Sequence, residues 1–348
     1  MLKASFSKHI LKFRKPGGTS RGVLYEKPSW YIKLEDKKGN IGIGECSLIP
    51  GLSPDNMDQI ELQLQLVCDH INDFREDFHA RLVDWPAIRF ALEMAFKGLE
   101  TGNPYLLYPS LFTSGSDSIA INGLIWMGSV DDMNQQIEQK LDQGFSCLKL
   151  KIGALDFESE IEVLKNIRKR FSKEALELRV DANGAFAIED AGNKLKELAQ
   201  FDIHSIEQPI QAGQWEAMRL LCRNTPLAIA LDEELIAVNQ FAKKKELLAL
   251  IEPQYIILKP SLLGGWKASE EWIAIAQQYN IAWWVTSALE GNVGLNAIAQ
   301  WTYTLKNRMP QGLGTGQVYT NNVQSPLYLK GDALFHHAEK SWVDPFKL

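Results

Sequence analysis

The sequence predicts an α/β protein whose main body is a βα barrel, preceded by a smaller α+β domain, and three observations lead there. From about Ile119 onward, short runs of β-forming residues alternate with amphipathic stretches, the pattern of repeated βα units around a parallel sheet. The runs begin roughly 22 to 29 residues apart, the length of one strand and one crossover helix. The chain has 348 residues, more than one small core organises, so a barrel with an added domain accounts for its length.

Eight strands are predicted for the barrel, each a short apolar run. They begin at Ile119, Cys147, Leu176, Ser205, Leu227, Tyr255, Ile281 and Pro310. Outer helices are predicted between them. Ser129 and Asp132 form a capping-box pattern at the start of the first helix, and Gly144 ends it. Apolar residues at helical spacing between Phe157 and Phe171 give the next helix a buried face.

The N-terminal part of the chain shows a different pattern. Residues 25–45 indicate two strands joined by a turn at residues 38–40. Residues 55–74 and 86–100 have the apolar periodicity of helices. This mixture predicts an α+β domain.

The predicted domain boundaries follow from where the βα pattern starts and stops. Residues 119–316 form the barrel, and residues 1–118 form the α+β domain. No further βα unit follows residue 316, so we expect residues 317–348 to pack back on the N-terminal domain and complete it.

Composition narrows the class of function. The formal net charge of -6 and a pI near 5.6 argue against a nucleic-acid or anionic-membrane surface. No stretch approaches the roughly 18 apolar residues of a membrane span, and the first residues lack the apolar core of a signal peptide. The four cysteines lie far apart, without the density of a disulfide scaffold. We therefore expect a cytoplasmic protein that acts on a small molecule, with its oligomeric state open.

Three acidic residues stand at the ends of successive predicted strands. Asp181 ends the third strand, Glu207 the fourth and Asp232 the fifth, and the carboxyl ends of parallel barrel strands meet around one mouth. Each acid alone is most simply a surface loop residue, but three in this arrangement indicate a metal site. Oxygen ligands without a nearby His or Cys favour Mg²⁺, or Mn²⁺, over zinc.

Three lysines accompany these acids. Lys149 and Lys151 lie two apart in one strand and so share a face, and Lys259 ends the sixth strand before Pro260. Buried ammonium groups need carboxylates or a metal complex beside them. A lysine in such a place can act as a base, and a metal can stabilise charge on substrate oxygens. Together they suit removal of a proton next to a carboxylate.

The residues resemble the enolase superfamily, and within it the o-succinylbenzoate synthase family, over nearly the whole chain. The segments that carry the resemblance are GECSLIPGLS at 44–53, PAIRFALEMA at 86–95, INGLI at 121–125, LKLKIG at 148–153, RVDANGAF at 179–186, IEQP at 206–209, LDEEL at 231–235, ILKPSLLGG at 257–265 and TSALEGNVGL at 286–295. The resemblance implies a modified TIM barrel, (β/α)7β, with the N-terminal domain capping its mouth. A lysine or histidine base working with magnesium is the established chemistry of that superfamily.

The resemblance also implies individual roles. The magnesium ligands would be Asp181, Glu207 and Asp232. Lys151 would be the acid and base of a syn elimination, Lys259 would stabilise the enediolate from the opposite face, and Lys149 would support Lys151. Two further residues would lie beside the ligands and hold them: Asn183 and Glu233.

Substrate contacts are implied in three loops. Ser287 and Thr286 would bind the substrate carboxylate after strand seven. Gly312 and Gly314 would approach the succinyl end after strand eight. Arg21 would reach a substrate carboxylate, although a solvated loop arginine explains it equally well.

The reaction implied by the resemblance is the magnesium-dependent dehydration of 2-succinyl-6-hydroxy-2,4-cyclohexadiene-1-carboxylate to 2-succinylbenzoate. An N-succinylamino acid racemase or dipeptide epimerase is an alternative, because lysines on opposite faces are what a 1,1-proton transfer needs. A further alternative, from another class, is a catalytically silent barrel that binds an acidic ligand.

Overall fold

The computed structural model describes residues 1–19 and 22–347. Its strands are β1 (Lys3–Thr19), β2 (Gly22–Glu35), β3 (Ile41–Ser47), β4 (Ile119–Ala120), β5 (Gly123–Ile125), β6 (Cys147–Lys151), β7 (Glu177–Asp181), β8 (Ser205–Glu207), β9 (Ile229–Leu231), β10 (Tyr255–Leu258), β11 (Ala282–Val285), β12 (Leu327–Lys330) and β13 (Ala333–His336). Its α-helices are α1 (Ile60–Asp69), α2 (Ile71–Phe74), α3 (Phe78–Arg81), α4 (Pro86–Thr101), α5 (Val130–Asp142), α6 (Phe157–Arg170), α7 (Ile188–Leu198), α8 (Trp215–Asn224), α9 (Phe241–Ile251), α10 (Pro260–Leu263), α11 (Gly265–Gln278) and α12 (Asn292–Thr304).

A parallel sheet of seven strands forms the barrel, in the order β11-β10-β9-β8-β7-β6-β5. Helices alternate with these strands along the chain, and the largest apolar core lies between the sheet and the helices. The predicted α/β barrel is thereby confirmed. The capping box of α5 is also present, with Ser129 accepting from the Asp132 backbone N–H.

The barrel departs from the prediction where it closes. The predicted eighth strand, from Pro310, is reduced to two isolated parallel bridges, Ile121 with Gln311 and Thr286 with Gly312. Pro310 has no N–H for a ladder, and glycines weaken a strand interior. The predicted first strand is divided as well, since β5 pairs with β6 whereas β4 pairs with β13 outside the barrel.

The N-terminal sheet is antiparallel, in the order β1-β2-β3, and α4 packs on it. The turn predicted at residues 38–40 joins β2 to β3, with Gly39 at φ 82°. A Cβ atom at Gly42 or Gly44 would collide with the α4 backbone, so these glycines allow the helix its close approach. Strand β1 was not predicted. The helix expected from residue 55 begins only at Ile60.

The C-terminal segment contacts the N-terminal domain at several points. Phe13 forms a bridge with Tyr319, the Asn321 amide donates to the Ile10 carbonyl, and Tyr105 stacks on Trp342. Hairpin β12–β13, in contrast, lies beside the barrel through β4. We propose that residues 1–118 and 317–348 together form one domain and that residues 119–316 form the barrel. Within the described residues, no helix is long and apolar enough to cross a membrane.

Candidate active site

Three carboxylates from neighbouring strands converge at the mouth of the barrel. Asp181 ends β7, Glu207 ends β8 and is its register partner, and Asp232 directly follows β9. All three side chains are buried, and each offers an oxygen within 4.8 Å of the others. This is the clustering expected of a site for a hard divalent cation.

Two lysines of β6 lie on the same side as the carboxylates, as the alternation of the strand predicts. Lys149 Nζ lies 2.9 Å from Asp181 Oδ2 and also donates to Glu207. Lys151 Nζ donates to the same Asp181 oxygen at 2.6 Å. The apolar neighbours Leu148 and Leu150 point instead into the core between sheet and helices.

Lys259 approaches the cluster from the other side. It follows β10 and donates to Asp232 Oδ2. In the sheet, β7, β8 and β9 with their three acids lie between the strands that carry Lys151 and Lys259. The two ammonium groups therefore flank the carboxylates.

Burial and charge shift the proton affinities within the cluster. Burial alone would lower the pKa of Lys149, but the Asp181 and Glu207 carboxylates raise it above its usual range. Burial, together with the Asp181 and Asp232 carboxylates, raises the pKa of Glu207 to about 8, although Lys149 opposes this shift. Both groups hold protons more tightly because buried negative charge is concentrated here.

The cluster has a free oxygen lone pair and a charge balance that a divalent cation would suit. Glu207 Oε1 is buried and has no hydrogen-bond partner among the described residues, so it offers a lone pair to a ligand. Four carboxylates, those of the three acids and of Glu233, face three lysines. A dication would turn this small negative excess into a positive charge, which suits an anionic substrate. The residues present therefore fit the metal.

Asn183 and Glu233, which the sequence predicts to hold the metal ligands, lie beside the carboxylate cluster. The Asn183 amide donates to Glu233 Oε1 at 2.9 Å, and its carbonyl oxygen accepts from Lys151 at 2.8 Å. Burial raises the pKa of Glu233, as does the adjacent Asp232. Gln208, which the sequence analysis missed although it lies in the IEQP segment, accepts from the backbone N–H groups of Asp232 and Glu234. It fixes the loop that carries Asp232.

A cavity of about 660 Å³ opens above the cluster. All three lysines reach it, as do Asn183 and Glu233. The opposite walls include apolar side chains from the β1–β2 hairpin, the loop after β3 and the ends of barrel strands, among them Phe13, Ile49, Leu52, Trp126 and Leu289. The cavity thus combines a polar floor with apolar walls, as small-molecule sites usually do.

The predicted substrate contacts mostly line this cavity. Thr286, Ser287, Gly312 and Gly314 all do so. A side chain at Gly312 would press on Thr286, so that glycine keeps the wall open. Arg21 lies outside the described residues.

Two buried charges near the cavity were missed from the sequence. Glu290 accepts a hydrogen bond from Ser287, and Lys27 of β2 lies in the same polar region. Glu290 belongs to the TSALEG segment already singled out, so its position in that motif was an available signal. For Lys27 the sequence carries none.

The chain is similar to known proteins over almost its whole length. Residues 132–335 match the family described as Enolase C-terminal domain-like. An o-succinylbenzoate synthase from Desulfotalea psychrophila is 48% identical, with 96% of this chain and 98% of that protein covered. The crystal structure of MenC from the same organism superposes with a TM-score of 0.84 at 44% identity, covering 96% of this chain and 99% of that one.

More distant relatives have the same fold, but their names give other activities. The L-Ala-D/L-Glu epimerase of Bacillus subtilis is 24% identical, covering 95% of this chain and 90% of that protein. A dipeptide epimerase from Cytophaga hutchinsonii, crystallised with Mg and D-Ala-L-Val, has a TM-score of 0.84 at 19% identity, covering 99% of this chain and 97% of that one.

Proposed function

This chain belongs to the enolase superfamily, in its o-succinylbenzoate synthase family, and we propose that it dehydrates 2-succinyl-6-hydroxy-2,4-cyclohexadiene-1-carboxylate to 2-succinylbenzoate in menaquinone biosynthesis. The observation that carries the proposal is that Lys151 and Lys259, which both line one cavity, lie on either side of three buried carboxylates. The 48% identity to an o-succinylbenzoate synthase over nearly the whole chain supports the choice of reaction.

Asp181, Glu207 and Asp232 would hold Mg²⁺, with Mn²⁺ as the other candidate. When bound, the cation supplies positive charge that stabilises developing negative charge on the substrate carboxylate. Lys149 forms ion pairs with both Asp181 and Glu207, so it would hold two of the three ligands in place. Asn183 donates to Glu233, next to Asp232, and accepts from Lys151, which pairs with Asp181. It thereby connects the loop of Asp232 to Asp181.

Lys151 is proposed as the catalytic acid and base. Its Nζ takes the proton from C1, next to the substrate carboxylate, and the electron pair left behind forms the enediolate. The hydroxyl at C6 then leaves on the same face with a proton returned by Lys151 Nζ, which releases water and completes the aromatic ring. Lys259, on the opposite side, stabilises the enediolate as a cation.

The substrate is a dicarboxylate, and the cavity offers places for both ends. We propose that Ser287 and Thr286 bind the ring carboxylate region and that Gly312 and Gly314 leave room for the succinyl chain. Arg21 stays a predicted contact for a carboxylate. The apolar walls exclude water from the ring.

We also propose the cytoplasm as the compartment. The four cysteines are free and buried in the structure, which suits a reducing environment. The small-molecule carboxylate is the expected partner.

Steady-state turnover of the cyclohexadiene substrate by the purified chain tests the function. We expect turnover that is lost on treatment with a chelator and restored by Mg²⁺ or Mn²⁺, because three carboxylates without the metal do not stabilise the enediolate. A folded, metal-supplemented chain without turnover would contradict the proposal.

A 1,1-proton transfer is a second candidate, favoured by the same pair of flanking lysines. An N-succinylamino acid racemase, or another epimerase of the superfamily, would need Lys151 and Lys259 to exchange the α-proton from opposite faces. Deuterium incorporation into both enantiomers of N-succinyl amino acids in D₂O would support it. Fast dehydration without such exchange would reject it.

A further inference from the structure

Trp126 stands beside the proposed base in the cavity wall. It directly follows β5, whose register with β6 pairs Ile125 with Leu150. One residue further along, the same register brings Trp126 level with Lys151, on the neighbouring strand and on the same face of the sheet. Both side chains line the cavity.

The base therefore has an acidic neighbour on one side and an aromatic neighbour on the other. In the sheet, β6 lies between β5 and β7, and Lys151 is the register partner of Asp181 on β7. A substrate with C1 over Lys151 and its carboxylate toward Asp181 has its ring toward Trp126. Neighbouring strands are about 4.8 Å apart, so the indole can reach that ring.

A side chain of helix α5 holds Trp126 in place. Gln136 Oε1 accepts from the Trp126 backbone N–H at 2.8 Å, and Gln136 Nε2 donates to the Trp126 carbonyl at 3.2 Å. Both backbone groups of Trp126 are thereby satisfied just beyond the end of β5. One amide side chain thus fixes the backbone from which the indole projects.

The N-terminal domain packs on the same indole. A Cβ atom at Gly17 of β1 would lie 3.3 Å from Trp126 Cζ3, so the hairpin backbone approaches the ring closely. Trp126 also packs against the apolar cluster that contains Ile49 and Leu289. It is nevertheless only half-buried and lines the cavity, which leaves a flat apolar surface for a ligand.

We propose that Trp126 is a specificity-determining residue that binds the six-membered ring of the substrate, and that Gln136 is its positioning residue. This rests on the function proposed above. The syn elimination needs the C1 hydrogen and the C6 hydroxyl presented to one Lys151 Nζ, and a ring held against a flat wall keeps both on that face. The indole does this by apolar contact and excludes water there.

Calorimetric titration with two dicarboxylates in the presence of Mg²⁺ tests the role of Trp126. 2-Succinylbenzoate and N-succinylglycine both carry a succinyl chain and a second carboxylate, but only the first has a ring. We expect the wild type to bind 2-succinylbenzoate more tightly. Trp126→Ala should raise the Kd of 2-succinylbenzoate about tenfold, the scale of a lost aromatic contact, and change that of N-succinylglycine less than about twofold. Trp126→Phe keeps a flat ring and should restore most of the preference.

Gln136→Ala tests the positioning role. We expect the Kd of 2-succinylbenzoate to rise about threefold, the scale of a hydrogen bond, and to rise no further when the substitution is added to Trp126→Ala. Asn134→Ala is the matched control, because Asn134 is a half-buried amide of the same helix that does not line the cavity. This control should bind both ligands as the wild type does.

The unfolding temperature and the Kd of Mg²⁺ show whether each variant is intact. If Trp126→Ala does not fold, Trp126→Leu fills the space without a flat ring, and we expect the same selective loss from it. Equal losses for the two ligands, or wild-type affinities in folded variants, would overturn this inference while leaving the function intact. A wild-type chain without turnover of the cyclohexadiene substrate would overturn the proposed function, and this inference with it.

Discussion

The two ends of the barrel both bury charge, but they use it differently. On β7, Asp181 and Arg179 are two residues apart and so share a face of the strand. Asp181 lies at the open end, below the cavity, with its carboxylate shared by two lysines. Arg179 lies at the closed end, where it is completely buried and does not line the cavity.

The closed end pairs its cation with protein groups, although Arg179 Nη2 is buried without a hydrogen-bond partner among the described residues. Arg179 Nε donates to Glu177 at 2.7 Å, Nη1 donates to the Pro310 carbonyl at 2.9 Å, and the guanidinium lies 4.3 Å from the Trp284 ring. His204 and Tyr255 pack against the same tryptophan. These groups form a plug at the bottom of the barrel.

The open end keeps its charges available. Lys151 and Lys259 reach the cavity, and Glu207 Oε1 has no hydrogen-bond partner among the described residues. A buried charge alone therefore does not mark a catalytic site. An unpartnered polar atom occurs at both ends, so the distinguishing feature is that the charges of the open end face a cavity.

Replacing Glu207, at the open end, should have the largest effect on metal binding and turnover. Glu207→Gln removes one of the three proposed carboxylate ligands, so Mg²⁺ binding should be lost and turnover should fall by about 10³-fold or more, as expected when several kcal/mol of electrostatic stabilisation disappear. Calorimetric titration with Mg²⁺ and steady-state kinetics measure both. A variant that binds Mg²⁺ and turns over normally would remove Glu207 from the metal site.

Replacing Arg179 should affect the fold and not the chemistry. Arg179→Met loses the two hydrogen bonds and the contact with Trp284, so we expect the free energy of unfolding to fall by about 2 to 3 kcal/mol. Below the unfolding transition, kcat/KM should stay within about twofold of wild type. Denaturant unfolding and kinetics on the same sample make the comparison. A folded variant with greatly reduced turnover would mean that the closed end also supports the reaction.

The smallest of the three effects concerns Glu93, a buried residue that does not line the cavity. It should appear in the pH dependence of the free energy of unfolding. Burial raises the pKa of Glu93 to about 8 from an ordinary 4.5, against the lowering effect of the Trp266 and Lys267 N–H groups. Between these values the folded protein binds more protons at Glu93 than the unfolded chain does. Its stabilising contribution is therefore complete below pH 4.5 and is lost as pH rises to about 8.

In the wild type this loss amounts to at most about 1.4 kcal/mol per pH unit. Glu93→Gln does not titrate, so unfolding free energies measured between these pH limits should fall less steeply for the variant than for the wild type. Parallel curves for the two proteins would show that Glu93 is ionised throughout.

The sequence predicted the open end well because strand geometry determines it. Lys149 and Lys151 share a face by the alternation of a strand, and Asp181, Glu207 and Asp232 meet because the carboxyl ends of parallel strands lie around one mouth. These are local rules. No knowledge of how distant segments pack was needed.

Features that depend on long-range packing were missed. Arg179 precedes Asp181 by two residues, but nothing in the sequence shows that Trp284 lies below it. The hydrogen bonds from the Gly291 and Gly294 backbone N–H groups to Glu45 likewise require the N-terminal domain to be docked on the barrel. The eighth strand was overpredicted, because closure there rests on single bridges at Gln311 and Gly312 instead of a ladder.

The central claim is that Lys151 carries the proton at the open end, and Lys151→Ala tests it most directly. Lys149 still pairs with Asp181 in this variant, so the fold and Mg²⁺ binding should be retained. We expect kcat for dehydration to fall by about 10² to 10⁴-fold, the usual contribution of a general acid or base, with an unchanged unfolding temperature and an unchanged Kd for Mg²⁺. Near-normal turnover by the folded, magnesium-bound variant would contradict the account.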